Sequence, residues 1–259
     1  MARVHFPRLS AAASRFDWLA QAASTNDELT GRATGAGADG WGHLSIVATA
    51  AQTSGRGRLG RSWVAPPGSA LALSVLVRPS IPVTAFGWLP LMAGAAMTAA
   101  VRSAGAQASL KWPNDVLVGD RKLSGILCEL LPDLRGAVIG VGVNVSMTDE
   151  QLPVPTATSL ALEGASTDMD ALAADFVADL GSRIARFEAA AGDAISSGIR
   201  ADIVEACGTI GRAVRVVMPD GGEIVGEATD IDADGRLRVA RDGVSTLSVA
   251  AGDVTHLRY

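Results

Sequence analysis

Lys111 and Lys122 are the only two lysines of the 259-residue chain, against 20 arginines, and both fall in the twelve-residue stretch KWPNDVLVGDRK. A GC-rich genome explains why lysine is scarce, not why the survivors share an address. Asparagine repeats the pattern, with Asn26, Asn114 and Asn144 alone, in STND, WPND and GVNV. A compact ammonium and a neutral amide differ in geometry and charge from Arg and Asp, so their persistence in short polar motifs points to chemistry. Lys111-Trp112-Pro113-Asn114-Asp115 sets a cation, an aromatic plane and two polar groups in one turn, suited to a ribose, an adenine edge or a metal-bound phosphate. Lys122 opens a strand in which Gly125 leaves room for a ligand lying across it.

Gly55-Arg56-Gly57-Arg58-Leu59-Gly60 matches G-x-G-x-x-G formally, but Ser62 to Gly68, with Pro66 and Pro67, cannot open the helix a dinucleotide site requires. The P-loop pattern fails too, because Arg61-Ser62 follows Gly60 in place of the lysine. What remains is a glycine loop with Arg56, Arg58 and Arg61, able to approach a ligand closely and to clasp carboxylate or phosphate. Such a loop is expected to be mobile until an anion arrives. In Gly140-Val141-Gly142-Val143-Asn144-Val145, glycines within a strand again suggest close approach to backbone. Ser24, Thr25 and Gln52 read by themselves as caps or loop polar groups. No nucleophile is evident: His5, His43 and His256 are dispersed, no G-x-S-x-G occurs, and Cys128 has no base nearby in sequence. Surplus cations without a nucleophile indicate phosphate-centred chemistry by positioning and charge neutralisation, with Mg²⁺ carried by a nucleotide and no protein metal cage.

These groups need elements to hold them. Ser24 with Asp27, or Thr25 with Glu28, forms a capping box that starts a helix, followed by a glycine-rich loop from Gly31 to Gly42. SIVATAAQ and LALSVLV read as strands on either side of the arginine loop, and Leu89 to Ser103 as a helix. Leu110 to Lys111, Val116 to Val118, Leu123 to Leu131 and Ala137 to Val145 are short strands with tight connections, hence a largely antiparallel or mixed sheet. Helices are expected over Asp170 to Ala190 and from about Asp193 to Ala206. From Gly208 the turns PDGG, DADG and RDG punctuate an all-β tail, a small barrel, so residues 1–207 and 208–259 form two domains.

A net charge of -5 argues against a nucleic-acid-coating role and against anionic membranes. Cys128 and Cys207 lie far apart and read as buried small apolar residues in a reduced compartment. The N-terminal residues lack a secretory apolar run, and the uncharged stretch between Arg78 and Arg102 is broken by prolines, a buried core helix; the expected location is cytoplasmic.

STND, AAQTSGRGRLGRSW, LKWPNDVLVGDRKLSGILCE, VIGVGVNV and the β-rich tail, in this order and spacing, resemble biotin protein ligase over nearly the whole chain. Only about twenty residues precede STND, so the resemblance is to the monofunctional type without an N-terminal DNA-binding half. It implies an α+β fold, a class II synthetase-like mixed sheet with flanking helices followed by a small SH3-like β-barrel. It implies ATP and biotin as substrates with Mg²⁺, biotinyl-5′-AMP as intermediate, and transfer to a lysine of the biotin carboxyl carrier domain of acyl-CoA carboxylases. The protein would act as a monomer or weak homodimer, with no DNA or membrane partner. By the same resemblance Lys122 and Arg58 would be catalytic, and Ser24, Thr25, Asn26, Gln52, Gly55, Arg56, Gly57, Arg58, Trp63, Lys122, Gly125 and Gly142 would bind biotin. Arg58, Arg61, Lys111, Trp112, Asn114, Asp115 and Asn144 would bind ATP. A lipoate ligase is the nearest rival, and a non-catalytic biotin or nucleotide-binding regulator the rival from another class.

Overall fold

A computed structural model describes residues 5–241 and 245–257. Pro7 begins α1 (Pro7–Ala12), whose Arg8 and Leu9 N–H groups are accepted by Asp170 from a distant helix. Phe6 stacks on Trp18 at the end of β1 (Arg15–Trp18), a strand too short to show a period in the sequence. Ser24 accepts from Asp27 N and caps α2 (Thr25–Thr34), which leaves Thr25 free for another partner. The helix runs on through Gly31 to Thr34, so the expected glycine loop begins later; Gly31 meets nothing that its missing side chain would disturb.

Next come β2 (Ser45–Thr49), the two-residue strands β3 (Gly55–Arg56) and β4 (Ser62–Trp63), and β5 (Ala70–Val77). The helix α3 (Leu89–Ser103) is followed by β6 (Ala108–Lys111), β7 (Asp115–Val118), β8 (Arg121–Leu130) and β9 (Ala137–Asn144). Then α4 (Met169–Ala189) and α5 (Ile199–Ala206) close this part. The second of these helices starts six residues later than expected. Asp193 accepts from Ile195 N and Ser196 N in a local turn, and Gly198 takes the left-handed φ of 75° that precedes the first helical residue.

The first sheet has the order β1-β2-β5-β9-β8-β7-β6; β1 and β2 are parallel and every other neighbour antiparallel. Alternation assigns its faces. Leu71, Leu73 and Val75 of β5 with Ile139, Val141 and Val143 of β9 join the core shared with α3 and α4. Val138 and Leu76 look the other way, onto Leu29 and Ala33 of α2. The uncharged stretch falls largely in α3 and its preceding turn; over Val83–Ser103, which also takes in Arg102, length and apolarity would suit a membrane span, but Leu89, Leu91, Met92, Met97 and Val101 lie in the core. Each contributes about 1.5–3 kcal/mol by leaving water.

The tail forms β10 (Ala213–Val217), β11 (Glu223–Ile231), β12 (Leu237–Arg241), β13 (Ser245–Val249) and β14 (Asp253–His256). Their order, β13-β12-β11-β10-β14, is an open antiparallel sheet, the SH3-like module without barrel closure among the described residues. Trp112 rivets the two sheets together. Its ring is 1% exposed, its backbone N–H donates to Thr209 Oγ1 at 3.1 Å and its indole N–H to Gly235 O at 3.1 Å. Thr209 also contacts His256 Nε2 at 3.1 Å, and burial, with Arg212 and Lys111 nearby, pushes that imidazole down to about 4, so it is neutral at pH 7. Cys207 is buried as expected; Cys128 is not fully so, because its strand edge lines a cleft at this seam.

Thr209→Val keeps the shape of the side chain but leaves the buried Trp112 N–H without its acceptor. A loss of roughly 1–3 kcal/mol in urea unfolding is expected, with Thr209→Ser near wild type. Equal midpoints for all three proteins would mean the hydroxyl does not hold the seam.

Candidate functional site

Because Ser24 does the capping, Thr25 and Asn26 turn toward the sheet. Gln52 Oε1 accepts from Thr25 N at 2.9 Å and from Thr25 Oγ1 at 3.2 Å. Buried Ser74 of β5 donates to Asn26 Oδ1 at 2.6 Å and lies 2.8 Å from Thr25 Oγ1, while Asn26 Nδ2 donates to Glu129 at 2.6 Å and to Leu127 O. The result is a neutral polar socket at the start of α2, rich in hydroxyl and amide groups.

The floor beside it lacks side chains. A Cβ on Gly140 would strike the Asn26 amide, and one on Gly142 would lie 2.5 Å from the Trp63 indole. Trp63 arrives on the β3–β4 hairpin, where Gly55 pairs with Trp63 and Arg56 with Ser62. The arginine loop is therefore a hairpin closed over the sheet, and its turn places Leu59, 59% exposed, at a φ of 56°. Its cations are engaged by the protein itself. Arg56 binds Asp27 through two nitrogens, one at 2.7 Å, and Glu129 at 3.1 Å, and its guanidinium is pushed further up by the Asp27 hydrogen bond. The same bond lowers Asp27 below the usual carboxylate range. Arg61 is paired with Asp253 of β14, and Arg58 donates to Asn114 Oδ1 at 2.8 Å.

At the other end stands Lys122. Lys122 and Gly125 are three residues apart, which in a regular strand puts them on opposite faces. A bulge opposite Val116 and Leu117 adds one residue to β8, and the Lys122 ammonium then lies over Gly125, 3.1 Å from where a Cβ would be. Its Nζ pairs with Asp115 at 2.7 Å. Lys111 faces Asp115 across the β6–β7 pair, and burial lowers its pKa, with Asp115 opposing and Lys122 and Arg61 reinforcing the shift. Asn114 completes this end: Nδ2 donates to Ile126 O at 2.9 Å, so its Oδ1 is aimed at Arg58.

A cavity of about 130 Å³ joins the two ends. Ser24, Thr25, Asn26, Gln52, Arg56, Gly57, Arg58, Arg61 and Trp63 line it, together with Asn114, Asp115, Lys122, Gly125 and Gly142. Gly55 sits just behind, against the Gln52 amide and the Trp63 backbone. Besides Gly55, three expected residues lie off the wall. Trp112 lines a neighbouring cleft of about 540 Å³, reached through Arg58 and Asn114. Lys111 acts on the pocket through its charge, and Asn144 is buried, donating to Thr158 O at 2.8 Å. The sequence reading flags Gly140 with Gly142 as a place of close backbone approach without assigning it to the site; it misses Ala72, Val141 and Leu127 on the wall, the carboxylates Asp27 and Glu129 behind Arg56, and Asp253 from the second sheet. No local signal in the sequence marks Asp253. Chemically, the cavity suits a neutral polar head in the socket and an anionic tail directed at Arg58 and Lys122, with a second anion beside it.

The Biotin/lipoate A/B protein ligase family model matches residues 22–144, and the Biotin protein ligase C terminal domain model residues 209–257. The chain is 41% identical over 251 residues to the biotin--[acetyl-CoA-carboxylase] ligase of Mycobacterium tuberculosis, covering 94% of this chain and 90% of that protein. It is 35% identical over 201 residues to the bifunctional ligase/repressor BirA of Escherichia coli, covering 74% of this chain and 60% of that protein. Among solved structures, the biotin protein ligase from Aquifex aeolicus in complex with biotin and ATP superposes with a TM-score of 0.75 over 95% of this chain and 100% of that one, at 23% identity.

The Arg56–Asp27 pair bolts the hairpin shut at neutral pH. With Asp27 held below its unfolded pKa, the pair stabilises closure above the ordinary Asp range, and that contribution is lost as pH falls through the depressed value. At neutral pH, Asp27→Asn should speed tryptic cleavage after Arg58 or Arg61 by up to about fivefold, as for an exposed pair contributing ~0.2–1 kcal/mol. Unchanged cleavage kinetics would show that the hairpin is closed by other contacts.

Proposed function

The chain belongs to the biotin protein ligase family, and from that membership we propose that its cavity joins biotin to ATP and passes the biotinyl group to a carrier lysine. The observation that carries the residue-level reading is convergence. The Thr25–Gln52 socket, the arginine hairpin, the Asn114–Asp115 turn and Lys122 are separated in sequence, yet line one cavity. The C-terminal module match favours biotin over lipoate as the acyl substrate.

In this reading the biotin ring system sits in the socket, its ureido group exchanging hydrogen bonds with Ser24, Thr25 and Gln52, beside the Trp63 indole that rests on Gly142. One carboxylate oxygen attacks the α-phosphorus of ATP; the new C–O–P linkage forms as the bond to pyrophosphate breaks. Two anions must come within bonding distance, and the Lys122 ammonium offsets their repulsion most as charge shifts to the non-bridging oxygens. Arg58, aimed by Asn114, supplies a planar donor pair beside it. In the second step a neutral carrier lysine attacks the carbonyl carbon, AMP leaves with the bond electrons, and the amine gives up one proton. No protein nucleophile is required in either step.

We propose that Mg²⁺ enters with the nucleotide. Among the described residues no three His, Cys, Asp or Glu side chains gather as a metal cage, so phosphate oxygens and water would hold the ion. The carrier domain of an acyl-CoA carboxylase is the proposed acceptor, and the cytoplasm the proposed location. Residues 1–207 would bind both substrates, with residues 208–259 contributing Asp253 to the closed hairpin and a surface for the acceptor.

Incubation with biotin and ATP, with mass detection of biotinyl-5′-AMP, tests the function. Lys122→Ala should fold normally and lose roughly 10²-fold or more in single-turnover adenylate formation, about 3 kcal/mol. Lys122→Arg should also be impaired, since a planar fork does not replace a point charge at that reach. A near-wild-type rate for a folded Lys122→Ala protein overturns its assignment. Biotin with ATP should also protect the hairpin from trypsin at Arg56, Arg58 and Arg61; no protection would mean it does not order over the adenylate.

A further inference from the structure

Lys122 stands where β8 outruns its neighbour. The β8–β9 pairing begins at Ser124 opposite Val143, and β9 ends at Asn144, so the outer backbone groups of Lys122 have no strand beside them. A separate segment takes that place. Lys122 N donates to Thr156 O at 2.7 Å, Thr158 N donates to Lys122 O at 2.9 Å, and Lys122 and Ala157 form an isolated parallel bridge. The segment is a strap across the backbone of the lysine, and Asn144 Nδ2 secures it by donating to Thr158 O.

One carboxylate closes the arrangement into a ring. Glu163 Oε1 accepts from Thr158 Oγ1 at 2.6 Å and from the Arg121 guanidinium at 2.7 Å. Thr158 is bonded to Lys122 through the strap, and Arg121 precedes Lys122 in the chain. Glu163 therefore grips both sides of the lysine's backbone without lining the cavity, and its side chain is only 14% exposed. A side chain with four rotatable bonds can reach one point reliably only if its Cα is fixed, and the bulge that aims Lys122 is a local disruption of the ladder that needs outside support.

The geometry points to Glu163 as a positioning residue for Lys122, acting through the Thr156–Thr158 strap and Arg121. The inference rests on the proposed adenylation role of Lys122, and its test separates the two. Glu163→Ala and Glu163→Gln are compared in the wild-type and Lys122→Ala backgrounds by single-turnover adenylate formation, with amide hydrogen exchange of the peptides containing Lys122 and Thr158. Glu163→Ala should raise exchange in both peptides and slow adenylation about tenfold, with KM for biotin changed less than threefold. Glu163→Gln keeps an acceptor for Thr158 and should fall between. In the Lys122→Ala background Glu163→Ala should change the rate less than twofold, since a residue acting through the ammonium has nothing left to position. Equal losses in both backgrounds, or unchanged exchange, overturn the proposal; should Glu163→Ala not fold, Glu163→Gln carries the same comparison. If the wild-type protein itself forms no biotinyl-AMP, the functional reading fails, and the exchange measurement alone still decides whether Glu163 holds the strap.

Discussion

Crowding of like charge governs this molecule. Arg58, Arg61, Lys111 and Lys122 lie close enough to shift one another's protonation or that of a shared neighbour, and at about 4 Å an unscreened pair of such charges costs ~4 kcal/mol at an effective dielectric of 20. Without substrate, carboxylates must hold the cations in place. Asp115 from β7 faces Lys122, Asp27 from α2 and Glu129 from β8 hold Arg56, and Asp253 from β14 holds Arg61. These counter-charges come from α2, from the face of the first sheet that α2 covers, and from the second sheet. The pocket therefore exists only when all of these elements have docked, and its electrostatics report on the whole fold.

Trp112 shows the same dependence from the packing side. It stands in the motif whose other members, Asn114 and Asp115, face the cavity, yet both of its N–H groups are spent on the seam with the second sheet. One five-residue turn thus carries site chemistry on one side and the junction on the other. Asn114, which holds the guanidinium of Arg58, therefore stands two residues from the contacts with the second sheet.

Much of the site was legible because it is local. The arginine loop, the KWPND turn and the Arg121-Lys122 pair are each contiguous; clustered glycines and arginines marked the first, and the scarcity of lysine and asparagine marked the other two. The strands around them are apolar runs, β2 and β5 buried throughout, and α4 differs from its expected span by one residue at each end. What escaped depends on long-range register. The bulge that turns Lys122 toward Gly125 is decided by pairing with β7, Asp253 reaches Arg61 across nearly two hundred residues of chain, and the strap meets Lys122 only because β9 stops short. The arginines looked free in the sequence since their partners are single acids scattered elsewhere. The shortened α5 was lost to Asp193 and Gly198, polar turn chemistry that a helical period cannot register.

Gly142 and Trp63 have a consequence for how such a protein can change over generations. The indole rests where a methyl group on Gly142 would need to be, so the ceiling height of the cavity is set by two positions jointly and by neither alone. Enlarging the floor residue first wedges the roof open; trimming the roof first leaves an unfilled slot. Either single change therefore loses packing that a coupled exchange would restore. Coupling of this kind ties the two positions to each other and makes the pair a coordinated handle for anyone reshaping the cavity.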